Sequence, residues 1–247
     1  MIQYHQFSSE ISLYPQQVSQ ELMVAFVIGK QYMQNVSAAC RLCIVPEDIS
    51  ISRHSLVATL YYYIAQRQDI QHIVVISTDP RATAITLPSR DHAGIAHILW
   101  KKILYDTDLS QRIVWLQGIS TCHDDISLES ASWYTHVHYV AMLPQLCDVL
   151  PIICPVGDIS YGTSLLDCCL ADPHTFVILM DSFAFRPYVD EQGQHDMQTL
   201  VYEPGGEVLR LFNHYVASQS WLFYALRVDK SPLPSDPERY TSLLIAG

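Results

Sequence analysis

An α/β fold with a mostly parallel central sheet and helices on both faces is what this sequence predicts, and three observations predict it. Leu42 to Val45, His72 to Ser77, Leu150 to Val156 and Thr175 to Met180 are short apolar runs, mostly β-branched, the pattern of strands buried on both faces. Ser55 to Gln66, between the first two runs, is long and unbroken enough for a crossover helix. The runs also halt at proline or acidic turn residues, as at Pro46, at Thr78-Asp79-Pro80 and at Asp181.

In chain order, residues 1–37 form a lead-in in which Leu22, Val24, Ala25, Val27 and Ile28 fit either a helix or a strand. Residues 38–88 read as strand, loop, helix, strand, loop, with Glu47 and Asp48 after the first strand and Asp79 after the second. Ligands of open α/β sheets sit outside the carboxyl ends of the strands, so these acids are the first site candidates. Gly94 to Asp106 predicts a helix, and the five-residue offset of His92 and His97 misses the spacing that pairs imidazoles on a helix face. Gln111 to Gly118 suits a strand or a helix.

The polar segment Ile119 to Ser132, with Cys122, His123, Asp124, Asp125 and Glu129, reads as a solvated loop before a helix, or as a lid. Tyr134, Val137, Val140 and Ala141 form a helical stripe that puts His136 and His138 on different faces. Tyr161 to Ala171 follows as a helix. Thr175 to Met180 is the most strand-like run and suits a central position, and its terminal Asp181 adds another strand-end carboxylate. Arg186 to Gln198 reads as a polar loop, and Glu207 to Ser218 as a helix with Val208, Leu211, Phe212 and Tyr215 on one face. Trp221 to Val228 and Ser242 to Ala246 read as closing strands around a rigid loop, Pro232 to Pro237.

A chain of 247 residues can bury a substantial core and is most economically one domain. Its net charge of −11 argues against sequence-independent nucleic-acid binding and against docking on anionic membranes. No apolar run approaches the roughly 20 residues of a transmembrane helix, and the N-terminus has no basic region leading into an apolar one, so the expectation is a cytoplasmic, soluble protein. Charged residues are only 16% of the chain against an ordinary value of about 25%, which leaves the surface to uncharged polar groups or a partner. Cys40 and Cys43 have redox or zinc spacing, but no second such pair follows, and the seven cysteines read as reduced structural thiols. No nucleophile elbow supports a serine hydrolase.

Ile44-Val45-Pro46-Glu47, a helix, and then the strand Ile73 to Thr78 resemble the opening of the Memo family, the B protein of the AmmeMemoRadiSam system. There a strand ends in Pro-His-Ala-Gly and the next in Gly-Pro-Ser-His-His. Trp133 to Gly157, Val177 to Phe185 and the C-terminal strands are similar to later family motifs, so the likeness spans most of 38–247. It implies one Memo-like domain over 1–247 with the fold of class III extradiol dioxygenases, in which histidines and a carboxylate hold a non-haem iron. Carried over residue by residue, the family's histidines fall on Glu47, near Pro80 and Arg81, on Trp133 and on Phe185, while His136 stands where the family has Glu and Asp229 keeps an acid.

An iron triad with its imidazoles replaced is not expected to form. The resemblance therefore implies a protein that keeps the fold, has lost the histidine metal site, needs no cofactor and works by binding another protein. The alternative is an enzyme in which Glu47, Asp79 and Asp181, with His136 or Asp229, hold Mg²⁺ or Mn²⁺ as hard oxygen ligands for hydrolysis or dioxygenase-like chemistry. Ordinary strand-end turn chemistry accounts for the same acids without any metal.

Overall fold

A computed structural model describes residues 3–5, 40–46, 54–96, 102–116, 119–123, 133–156, 162–181, 184–189, 195–203, 207–233 and 236–247. The chain runs β1 (Gln3–His5), β2 (Leu42–Pro46), α1 (His54–Ala65), β3 (His72–Asp79), β4 (Ile85–Leu87), β5 (His92–Ala96), β6 (Lys102–Leu104) and α2 (Thr107–Val114). It continues β7 (Thr121–His123), α3 (Tyr134–Met142), β8 (Asp148–Pro155), α4 (Gly162–Leu170), β9 (Thr175–Asp181), β10 (Ala184–Val189), β11 (His195–Glu203), α5 (Glu207–Ser218), β12 (Phe223–Leu233) and β13 (Asp236–Ala246).

The centre of the large sheet is parallel, in the order β2-β9-β3-β8. Antiparallel pairing begins on either side, at β4 against β8 and at β13 against β2. Alternate residues of the four central strands feed two separate cores. Leu42, Val74, Leu150 and Val177 meet Leu109 of α2, Leu165 of α4 and Phe212 of α5. Cys43, Ile73, Val149 and Phe176 meet Tyr61 of α1 and Val137 of α3 on the other face. Burying each such side chain contributes about 1.5–3 kcal/mol, so both faces of the sheet need helices, and the chain alternates strand and helix to supply them. None of the seven cysteines forms a disulfide, and five of them are buried.

Three expectations are corrected, and one open reading is decided. The segment expected as one helix from Gly94 to Asp106 contains β5 and β6, paired antiparallel with Ile95 opposite Ile103. Buried Ile103 alternates with exposed Lys102 and Leu104, a period of two, and β1 completes this second sheet in parallel with β5. Where 111–118 suits a strand or a helix, residues 111–114 are helical, and Asp106 caps the start of α2 by accepting from the Leu109 amide at 2.9 Å. Arg186 to Gln198, expected as a loop, includes parts of the hairpin β10–β11, with Pro187 at a register shift where its missing donor does least harm. Pro232 to Pro237, expected as a loop, is taken up largely by β12 and β13, which stay paired as far as Leu233 opposite Asp236.

Candidate functional site

Register brings the carboxyl ends of the central strands together. Pro46 at the end of β2 is level with Asp181 at the end of β9, and Asp79 ends β3 beside Pro155 of β8. Strand β13 has two edges. Strand β12 runs along one of them, with Asp229 opposite Thr241, while the other holds β2 at Leu244 to Ala246 and then β10 at Tyr240. The hairpin β10–β11 therefore continues beyond the end of β2, and Phe185, opposite Tyr240, lies in that continuation. In backbone terms Asp79, Asp181, Phe185 and Asp229 share one end of the sheet. Glu47 and Asp48 lie outside the described residues.

Asp79 is buried and its carboxylate is already engaged. Its Oδ1 accepts from the Arg81 amide at 2.8 Å and from Arg81 Nε at 3.0 Å, and its Oδ2 accepts from Arg81 Nη2 at 2.6 Å. The Ala82 amide closes the same turn on the Asp79 carbonyl at 3.0 Å. Hydrogen bonds from the Arg81 side chain hold the Asp79 carboxyl below the ordinary range. The Arg81 amide and side chain engage both carboxylate oxygens, and this pair forms the turn that ends β3.

Trp133 and His136 do not line a cleft. Both are 0% exposed, at the start of α3 against α1, within the core on that face of the sheet. His136 Nδ1 lies 3.1 Å from the Tyr61 hydroxyl, and the Tyr61 ring stacks on Tyr139 at 5.2 Å between centroids. Burial pushes the His136 imidazole down to about 3, so it is neutral at physiological pH. His136, one of the two residues weighed as an added ligand beside the strand-end acids, is thus enclosed beside Tyr61. Among the described residues no group of three His, Cys, Asp or Glu side chains is arranged to hold a metal ion.

A second charged cluster lies at the amino end of the same strands. His72 Nδ1 stands 3.2 Å from Asp106 Oδ2 and 3.9 Å from Asp148 Oδ2, and its Nε2 is 3.9 Å from Asp172 Oδ2. Burial is the main cause raising the Asp148 carboxyl. The group ties the starts of β3, β8 and α2 to the turn before β9.

Sequence reasoning missed a cavity of about 120 Å³ between the turn after β4 and the first turns of α2. Arg90 stands on its wall, and Arg90 Nε donates to His123 Nε2 at 3.0 Å. These residues are 33 apart in sequence and meet only because β4 and β7 pair in parallel, Leu87 opposite His123. No local motif announces such a contact. No known protein-family profile matches the chain, and no curated protein matches it. Among the described residues no helix is long and apolar enough to cross a membrane.

Proposed function

We propose that the chain is a divergent relative of the Memo family, with the class III extradiol dioxygenase-like fold, that has lost the histidine metal site and acts in the cytoplasm by binding another protein. The observation that carries this reading is the state of the two expected ligands whose side chains are described. Asp79 is bound by Arg81, and His136 is enclosed in the core beside Tyr61. Three further features support it. The parallel order β2-β9-β3-β8 sets Pro46, Asp79 and Asp181 at one end of the sheet, as the proposed likeness to the family's strand-end motifs requires. The surplus of acids, 25 against 14 Lys and Arg, disfavours a nucleic-acid partner. Trp115 holds its ring 82% exposed at the end of α2, and tryptophan is a residue type enriched at protein interfaces.

Titration of the full chain with Fe²⁺, Mn²⁺ and Mg²⁺, followed by calorimetry and by oxygen uptake with a catechol, tests the loss of the site. The expected result is no stoichiometric binding and no turnover. Binding of one cation that disappears in Asp181→Ala would overturn the reading in favour of a carboxylate-ligated enzyme. The partner half is tested by isolating the chain from its own cells at native abundance, where a stoichiometric complex is expected. Recovery of the chain alone, from cells and after cross-linking at Trp115, counts against it.

A further inference from the structure

Two arginines among the described residues are paired with carboxylates, and a third is held by backbone carbonyls. Arg67 is paired with Asp69 at 2.6 Å, Arg81 with Asp79 at 2.6 Å, and Arg41 donates to the carbonyls of Leu170 and Asp172. Arg90 is held instead by an imidazole. His123 Nδ1 lies 2.6 Å from the Pro88 carbonyl oxygen, which only accepts, so the proton sits on Nδ1 and the lone pair on Nε2. That lone pair takes the hydrogen bond from Arg90 Nε at 3.0 Å. The imidazole thus braces the guanidinium without cancelling its charge, and the Arg90 amino groups make no hydrogen bond among the described residues.

The cavity beside this arginine is built of donors. Thr107, Ser110 and Gln111 line it from α2, and positions i, i+3 and i+4 share one face of a helix. Leu109 and Ile113 on the opposite face enter the core, so the amphipathic pattern of α2 aims its polar face at the cavity. Ser89 adds a hydroxyl and Leu150 of β8 an apolar wall, and among the described residues no Asp or Glu lines the space. In a chain with 25 acids and 14 Lys and Arg, a wall of one guanidinium and several hydroxyls without a carboxylate selects for an anion. The first-turn amide of α2 is not the attraction, since Asp106 already caps it. About 120 Å³ is well below the roughly 300 Å³ at which sites for drug-sized ligands begin, so the space suits a single tetrahedral group.

We propose that this cavity binds a phosphate-sized oxyanion, with Arg90 as its cation, the Ser89, Thr107 and Ser110 hydroxyls as donors, and His123 as the positioning residue that holds the guanidinium. The shared chemistry is a tetrahedral dianion, whether free phosphate or the head of a small phosphomonoester. The cavity lies toward the amino end of β8, away from the strand ends Asp79 and Asp181, and the proposal does not depend on the function argued above.

Isothermal titration of the full chain with inorganic phosphate and with glycerol phosphate, at ionic strength matched by chloride, tests it. Saturable binding is expected with at least one of them. Tighter binding of the ester identifies a monoester site, and equal binding a free-anion site. Arg90→Gln is expected to weaken binding by about tenfold or more, as for loss of a charge-assisted hydrogen bond, and His123→Ala by less. Arg210→Gln, which removes an exposed charge from α5, is expected to leave binding unchanged. Near-ultraviolet circular dichroism checks that each variant is folded. The proposal is overturned by the absence of saturable binding in the millimolar range, by equal binding to Arg90→Gln, or by an effect that chloride reproduces.

Discussion

His136 illustrates what burial does to a single titratable residue. Its imidazole is pushed down to about 3 in the fold, against about 6.5 for an exposed histidine. Between those values the unfolded chain binds the extra proton, so stability rises with pH through that window, by up to about 1.4 kcal/mol per pH unit. His136→Phe is expected to flatten this slope between about pH 4 and pH 6.5, measured by urea unfolding at several pH values. The same variant leaves the buried Tyr61 hydroxyl unpaired and is expected to cost about 1–3 kcal/mol at pH 7. Asp79 gives the same sign from a different cause, a charged form stabilised by Arg81 rather than one disfavoured by burial. Its carboxyl is held down by Arg81, so its contribution is present above the ordinary carboxylate value and is lost as pH falls through the lower folded one. Both residues were visible as candidates in the sequence. Neither the Arg81 clamp nor the closed surroundings of His136 could be read there, because a residue type does not disclose its partners.

At the scale of elements, two glycines separate a rigid contact from a yielding one. A Cβ on Gly94 in β5 would press on the Ile103 carbonyl oxygen and stand 2.8 Å from Leu104 Cα, both backbone atoms of β6. Backbone cannot give way without breaking the pairing, so Gly94→Ala is expected to cost more than the about 1–3 kcal/mol of ordinary overpacking. A Cβ on Gly162 in α4 would meet the Leu211 methyls of α5 at 2.6 and 2.7 Å, the movable end of a side chain. Gly162→Ala is expected to cost less than Gly94→Ala, and pairing it with Leu211→Ala to show a coupling of about 0.5–3 kcal/mol in a double-mutant cycle. The elements themselves were unequally legible. Helix α5 spans the predicted Glu207–Ser218 because Val208, Leu211, Phe212 and Tyr215 print a helical stripe, and all four are buried. Strands β5 and β6 read as a helix because Ile95 and Ile103 lie far enough apart to fit either period, and only their mutual pairing decides.

For the whole molecule, the question is whether the strand-end region opens to solvent near α3 or is filled. Trp133, expected beside a cleft, is 0% exposed in the core between the sheet, α1 and α3. Trp133→Ala is therefore expected to cost about 3–5 kcal/mol, the range for truncating a buried aromatic, as measured by denaturant unfolding. A change of less than about 0.5 kcal/mol, typical of surface positions, would mean that the ring lines an open cleft. The sequence by itself determined the parallel centre of the sheet and the alternation of strand and helix around it. Strands buried on both faces must be continuously apolar, and that requirement is written locally in each run. Tertiary structure alone decided which distant segments met: Gln3–His5 beside β5, the β10–β11 hairpin beyond the end of β2, Arg90 against His123, and Trp133 and His136 inside the core. Hydrophobic period is a property of neighbours along the chain, whereas strand pairing and burial join residues separated by long stretches of it, and the candidate sites depend on those joins.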